Sequence, residues 1–170
     1  SGTDTVKSKV DFILDDGLEN LWLGKGSAAT LGTGNAARNM IVGNEKDNTI
    51  DGKAGNDNLM GGDGNDIIYG GADHDKLHGG DGADQLYGGT GNDKLHGGSG
   101  NDITYGGDGN DTLCPGAGDD VMYGGDGRDL LSGNAGADTA YGGAGDDTYK
   151  VTDSLDTIIE YEAEGHDVVH

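Results

Sequence analysis

Between residues 52 and 150 the chain repeats itself every nine residues, eleven times in succession, with an aspartate at the sixth position of every repeat. GGDGNDIIY (61–69), GGDGADQLY (79–87) and GGTGNDKLH (88–96) show the form. A period of nine with one regularly placed apolar residue is not helical. The hexad G-G-x-G-x-D reads as a loop, because clustered glycines permit positive φ and close backbone approach. The last three residues read as a very short strand, with the middle side chain on one face and its neighbours on the other. The inward set is then Leu59, Ile68, Leu77, Leu86, Leu95, Thr104, Leu113, Met122, Leu131, Ala140 and Tyr149. One such strand cannot bury its apolar face alone. Two successive strands facing each other can, and stacked pairs make a continuous thin core. The expected fold is all-β: a parallel two-sheet solenoid with eighteen residues per turn and turns about 4.8 Å apart.

Stacking places the loops in two columns. Asp57, Asp75, Asp93, Asp111, Asp129 and Asp147 line one edge, and Asp66, Asp84, Asp102, Asp120 and Asp138 the other. Carboxylates one turn apart repel unless a cation lies between them. A hard cation taking about six to eight oxygens at about 2.3–2.6 Å fits, with backbone carbonyls completing what two aspartates leave open. Magnesium demands tighter octahedral geometry and keeps its waters, so calcium is the better match. The formal net charge is −22. Ions bridging loops eighteen residues apart, with Asp156 adding one more site, would number about ten and nearly cancel it.

These eleven repeats resemble the RTX family of haemolysin-type calcium-binding repeats. The resemblance implies a parallel β-roll with calcium held between adjacent turns, in a module of a larger bacterial protein exported by a type I system. It also implies a switch: disordered at low cytosolic calcium, folded and rigid outside the cell, in a secreted or cell-surface setting. The departures are local. Asp73 stands for the third glycine of its loop, where it either takes the left-handed conformation or adds an oxygen ligand. Pro115 stands for a first glycine, and Thr104 and Ala140 are weak core residues.

The frame continues upstream in degraded form. GNAARNMIV (34–42) and GNEKDNTID (43–51) place Ile41 and Ile50 inward, with Asn39 and Asn48 where aspartate is expected. Residues 34–51 therefore read as calcium-poor turns, closing without an ion or with a weak site near Asp47. The frame then runs for seven turns, roughly 34 Å. Residues 1–33, with Phe12, Leu14, Leu21, Trp22 and Leu23, read as an N-terminal β cap. Residues 151–170 read as a C-terminal cap or the start of a next unit. The second option rests on Gly165-His166-Asp167-Val168-Val169-His170, which echoes Gly2-Thr3-Asp4-Thr5-Val6-Lys7. Such an echo is expected of an internal piece of a tandem array, as is the want of a secretory signal at its start.

Leu, Ile, Val and Phe number 29, about 17%, in a highly charged chain. That composition belongs with disorder, so the metal-free chain is expected to be largely unfolded and calcium binding to be its folding reaction. The acidic balance argues against a nucleic-acid partner, and no stretch is apolar enough to span a membrane. The lone Cys114 excludes an internal disulfide. No nucleophile stands in a recognisable pattern with a base, so the chain reads as a non-enzyme. Ice binding finds no Thr or Asn array.

Two outward columns remain. Tyr69, Tyr87, Tyr105, Tyr123 and Tyr141 recur every eighteen residues. They form either a platform for a glycan or protein ligand, as in an adhesin, or a ladder stacked on its own copies. The opposite column holds Met60, His78, His96, Cys114, Ser132 and Lys150. Its histidines and cysteine are zinc-type ligands, but parallel side chains about 4.8 Å apart do not converge tetrahedrally, and exposed surface residues are the simpler reading. A third setting is the accessory domain of a secreted hydrolase or toxin.

Overall fold

The computed structural model describes residues 2–160 and 165–170. Residue 1 and residues 161–164, parts of the two expected end segments, lie outside the described residues. The described chain is all-β and winds through two parallel sheets, one of twelve strands and one of nine, alternating between them. The repeat explains the winding. Each apolar triplet residue is buried, from Leu59 at 0% exposure to Ala140 at 6%, and the inward residues form one continuous core. The register is set by the repeat: Leu59 pairs with Leu77, Leu77 with Leu95, and Leu86 with Thr104.

The strands run longer than the triplets. Asn58–Asp63, Ile67–Ala72 and Lys76–Asp81 each span six residues, taking in the first three positions of the next loop. The second glycine makes this possible. Gly62 and Gly80 pair across adjacent turns with φ of 122° and 127°, which bends the chain while its backbone groups stay in the ladder. Three other residues take this left-handed backbone at glycine positions: Lys53, Asn134 and Asp73. For Asp73 this is the first of the two expected roles, and its carboxylate accepts a hydrogen bond from the Gly55 N–H at 3.2 Å. Pro115 carries no N–H, and the strand there is split into Thr112–Leu113 and Gly116–Ala117.

Residues before the regular frame join the same two sheets. Thr5–Ser8 pairs with Asn20–Leu23, which pairs with Met40–Val42; Phe12–Ile13 pairs with Leu31–Thr33. Leu14, Leu21 and Leu23 extend the core. The solenoid thus has about nine turns, two more than the nine-residue frame alone gives. These first turns are irregular: Thr5 pairs fifteen residues ahead with Asn20, and Asn20 twenty ahead with Met40. At the far end Thr157–Ile159 and Val168–Val169 close the two sheets. Among the described residues no helix is long and apolar enough to cross a membrane.

Candidate metal centres

Each loop delivers its aspartate inward. The sixth-position carboxylates from Asp57 to Asp147 are all buried, at 1–2% exposure. The two columns are joined internally. The Asp57 N–H donates to Asp75 Oδ1 at 2.7 Å, Asp75 to Asp93 at 2.8 Å, and the series runs on through Asp111, Asp129 and Asp147. The other column runs from Asp66 through Asp84, Asp102, Asp120 and Asp138 to Asp156. Each aspartate therefore uses Oδ1 to secure the turn before it.

The second oxygens have no such partner. Oδ2 of Asp57, Asp66, Asp75, Asp84, Asp93, Asp102, Asp111, Asp120, Asp129 and Asp138 is buried and accepts no hydrogen bond within the protein. A buried carboxylate oxygen without a donor or counter-charge is costly. Burial, and then neighbouring aspartates, push Asp57, Asp66, Asp75, Asp102 and Asp129 up to about 7, and Asp111 and Asp120 up to about 6, against hydrogen bonds from backbone N–H groups that pull down. Asp84, Asp93 and Asp138 shift the same way, with burial first.

Where the first loop position is glycine, it keeps the space beside Oδ2 open. A Cβ on Gly70 would lie 2.5 Å from Asp75 Oδ2 and 2.6 Å from the Gly88 carbonyl oxygen of the next turn. The same crowding recurs at Gly61, Gly79, Gly88, Gly106 and Gly124. A carboxylate oxygen and a carbonyl oxygen from successive turns thus flank each gap. Among the described residues no three His, Cys, Asp or Glu side chains are placed to hold a metal ion together. An ion held here would meet carboxylate and backbone carbonyl oxygens, a donor set of hard oxygens that suits calcium.

Two features of the loops are not evident in the sequence pattern alone. Asp167 accepts from the Asp147 N–H at 2.8 Å, twenty residues on rather than eighteen; its own Gly165-His166-Asp167 carries the G-x-D signal. The fifth loop position forms a second, outer ladder. Asn65 Oδ1 accepts from the Ala83 N–H, Asn92 from Asn110, and Asn110 from Arg128. Asp47 belongs to this ladder through the Asn65 N–H.

Upstream, Asn39 and Asn48 stand at the aspartate position, and their amides are satisfied within the protein. Asn39 Oδ1 accepts from the Asn35 N–H at 2.7 Å, while Nδ2 donates to the Leu18 and Glu19 carbonyls and to Asn35 Oδ1. Asn48 Oδ1 accepts from the Asn44 N–H at 2.7 Å and its Nδ2 donates to Asn44 Oδ1 at 3.4 Å, while Asn44 Nδ2 donates to the Ala29 carbonyl.

On the outer faces, the tyrosines from Tyr69 to Tyr141 stack on one another with centroids 4.8–5.0 Å apart and planes within 16°. Opposite, His78 and His96 stack at 4.8 Å, with Met60 and Cys114 on the rungs either side, and Cys114 is a free thiol.

No curated protein matches the chain. The family model described as the RTX calcium-binding nonapeptide repeat (4 copies) matches residues 33–68, 42–77, 51–86, 78–113 and 115–149, most of the chain. Its loops, its buried aspartates and this match agree, and the chain belongs to the RTX calcium-binding repeat family.

Proposed function

We propose that this chain is a β-roll module that folds on binding calcium, with the aspartates from Asp57 to Asp147, together with Asp156, as its side-chain ligands. The observation that carries this reading is the set of ten buried Oδ2 atoms with no hydrogen-bond donor. Ionised and unpaired, they oppose the fold at neutral pH. Calcium, when bound, supplies the divalent charge that these oxygens and the flanking carbonyls share. About ten ions would balance most of the formal charge of −22. The Asn39 and Asn48 turns have neutral amides at that position and close without an ion.

The module belongs, on this reading, to a larger secreted bacterial protein exported through type I machinery, unfolded before export and rigid outside the cell. Its work is binding and scaffolding rather than catalysis. A glycan platform on the tyrosines is the weaker alternative. Sugar stacking needs open ring faces, and the faces of Tyr87, Tyr105 and Tyr123 lie against neighbouring rings on both sides.

Far-UV circular dichroism of the metal-free chain during a calcium titration, with magnesium as control, tests the reading. A cooperative rise of β signal selective for calcium is expected. Full β signal in chelator, unchanged by calcium, would overturn it.

A further inference from the structure

A groove runs down the loop edge of the twelve-stranded sheet, between the fifth and seventh positions of successive turns. One stretch is a cleft of 340 Å³ lined by Arg38, Asn56, Asp57, Asn58, His74 and Lys76. It continues past Arg38 and Asn58, which both stretches share, into a cleft of 460 Å³ with Asn20 and Met40 in its wall. Asn20, Met40, Asn58 and Lys76 stand on successive rungs of one sheet, so the groove covers about 14 Å along the stack. We propose that it binds a short acidic oligosaccharide, with Arg38, His74 and Lys76 on the carboxylates and the asparagine amides on the hydroxyls.

The donors lining it are unspent. Among the described residues the side chains of Arg38, Lys76 and Asn58 make no hydrogen bond or ion pair within the protein, and Arg38 and Lys76 are exposed. His74 Nδ1 accepts from the Asn92 N–H at 2.7 Å, which puts its proton on Nε2, free to donate. The His74 N–H in turn donates to Asn56 Oδ1 at 3.1 Å. That bond holds the Asn56 amide by its oxygen and leaves its Nδ2 hydrogens for a ligand.

Charge and wall chemistry select the ligand. Two carboxylates touch the groove, and both are engaged. Glu19 Oε2 accepts from the Asp4 N–H at 2.8 Å. Asp57 Oδ1 accepts from the Asn39 N–H at 2.7 Å, and its Oδ2 faces the proposed calcium; in this one respect the inference rests on the calcium reading, because the ion removes the repulsion Asp57 would offer an anion. The seventh and ninth positions of this sheet from residue 58 to residue 150 hold no acidic side chain, in a chain with 32 Asp and Glu. The other loop edge is the contrast. Asp47, Asn65 and Ala83 stand at its fifth positions and Thr49, Ile67 and Gln85 at its seventh, without a cation. The planar fork of Arg38 matches a carboxylate, and amides pair with hydroxyls as donor and acceptor. An acidic peptide would also need pockets for its other side chains, and Met40 is the one apolar side chain in the wall.

The test titrates short oligogalacturonate by calorimetry into the calcium-loaded chain, with the same calcium concentration in both solutions. Circular dichroism with and without calcium comes first, so a failure of the calcium-folding reading is seen separately from a failure to bind sugar. Binding of one oligomer per chain is expected, weakened about tenfold in Arg38→Gln and in Lys76→Gln by loss of a charge-assisted hydrogen bond. Arg128→Gln, at the same loop position further along the stack, should bind as the parent does. A neutral galactose oligomer of the same length should not bind. No binding of oligogalacturonate, binding indifferent to both groove variants, or equal binding of the neutral sugar or of oligoglutamate of matched charge would overturn the proposal.

Discussion

The asparagine turns and the aspartate turns stack in the same two sheets and present different side chains at the sixth loop position. In the first, Asn39 Nδ2 donates to the carbonyls of Leu18 and Glu19. In the second, the corresponding atom of Asp57 or Asp66 is an oxygen that finds no donor. An amide hydrogen satisfies the asparagine loop, whereas the carboxylate loop leaves a buried oxygen without a donor. On the proposed function, one fold would carry a metal-independent end and a metal-dependent body, with the boundary between Asn48 and Asp57.

Exchanging the two residues should break that boundary most sharply. Asn39→Asp places an unpaired carboxylate among carbonyls, on the order of 3–5 kcal/mol destabilising without calcium. Hydrogen exchange at limiting calcium should show Leu21 and Ile41 losing protection they hold in the parent chain. If protection there is unchanged, amide bonding is not what distinguishes the two regions. The next largest effect belongs to the gap beside Oδ2. Gly70→Ala puts a methyl group against Asp75 Oδ2 and the Gly88 carbonyl, and should destabilise the calcium-loaded form by about 1–3 kcal/mol, read from denaturant midpoints.

Acid should act oppositely on the two calcium states. In the metal-free folded form Asp57 and Asp66 are pushed up to about 7, mainly by burial, against about 4 when unfolded. Between those values the folded chain binds more protons, so its stability falls as pH rises through about 7. In metal-free buffer, β signal should therefore grow on acidification from pH 8 to 4.5. With calcium present, protons compete for the same oxygens, and the calcium midpoint should rise as pH falls below about 7. A calcium midpoint constant from pH 8 to 5 would place the ions elsewhere. The smallest effect is at Thr104, fully buried with a hydroxyl that makes no hydrogen bond. Thr104→Val should add about 1 kcal/mol in either calcium state, and an effect confined to one would tie this core position to the loops.

The fold was legible because the period of nine assigns every side chain a direction. Leu59 to Tyr149 are inward, Tyr69 to Tyr141 outward, and the sixth-position aspartates stand in two columns. Features carried by the backbone were not legible. The extra strand length depends on the pairing of Gly62 with Gly80, and glycines leave no pattern of side-chain burial. Asp167 was hidden by a turn of twenty residues. The first two turns were hidden by lengths of fifteen and twenty, although Leu14, Leu21 and Leu23 marked their core. The amide networks of Asn35, Asn39 and Asn44 depend on which carbonyls the preceding turn presents, and sequence spacing does not state that.

The aspartate ladder has a direction. Every Asp N–H from Asp57 to Asp138 in the series is served by a carboxylate eighteen residues later, and that of Asp147 by one twenty later, never by an earlier one. The aspartate ladder is therefore polar, with each turn's N–H waiting on the carboxylate of the turn that follows. A turn laid down at the C-terminal end completes the one beneath it, whereas a turn added at the N-terminal end is completed by what already stands. A stack built this way has the polarity of a one-way zipper, and here Asp156 and Asp167 serve the last two aspartate turns.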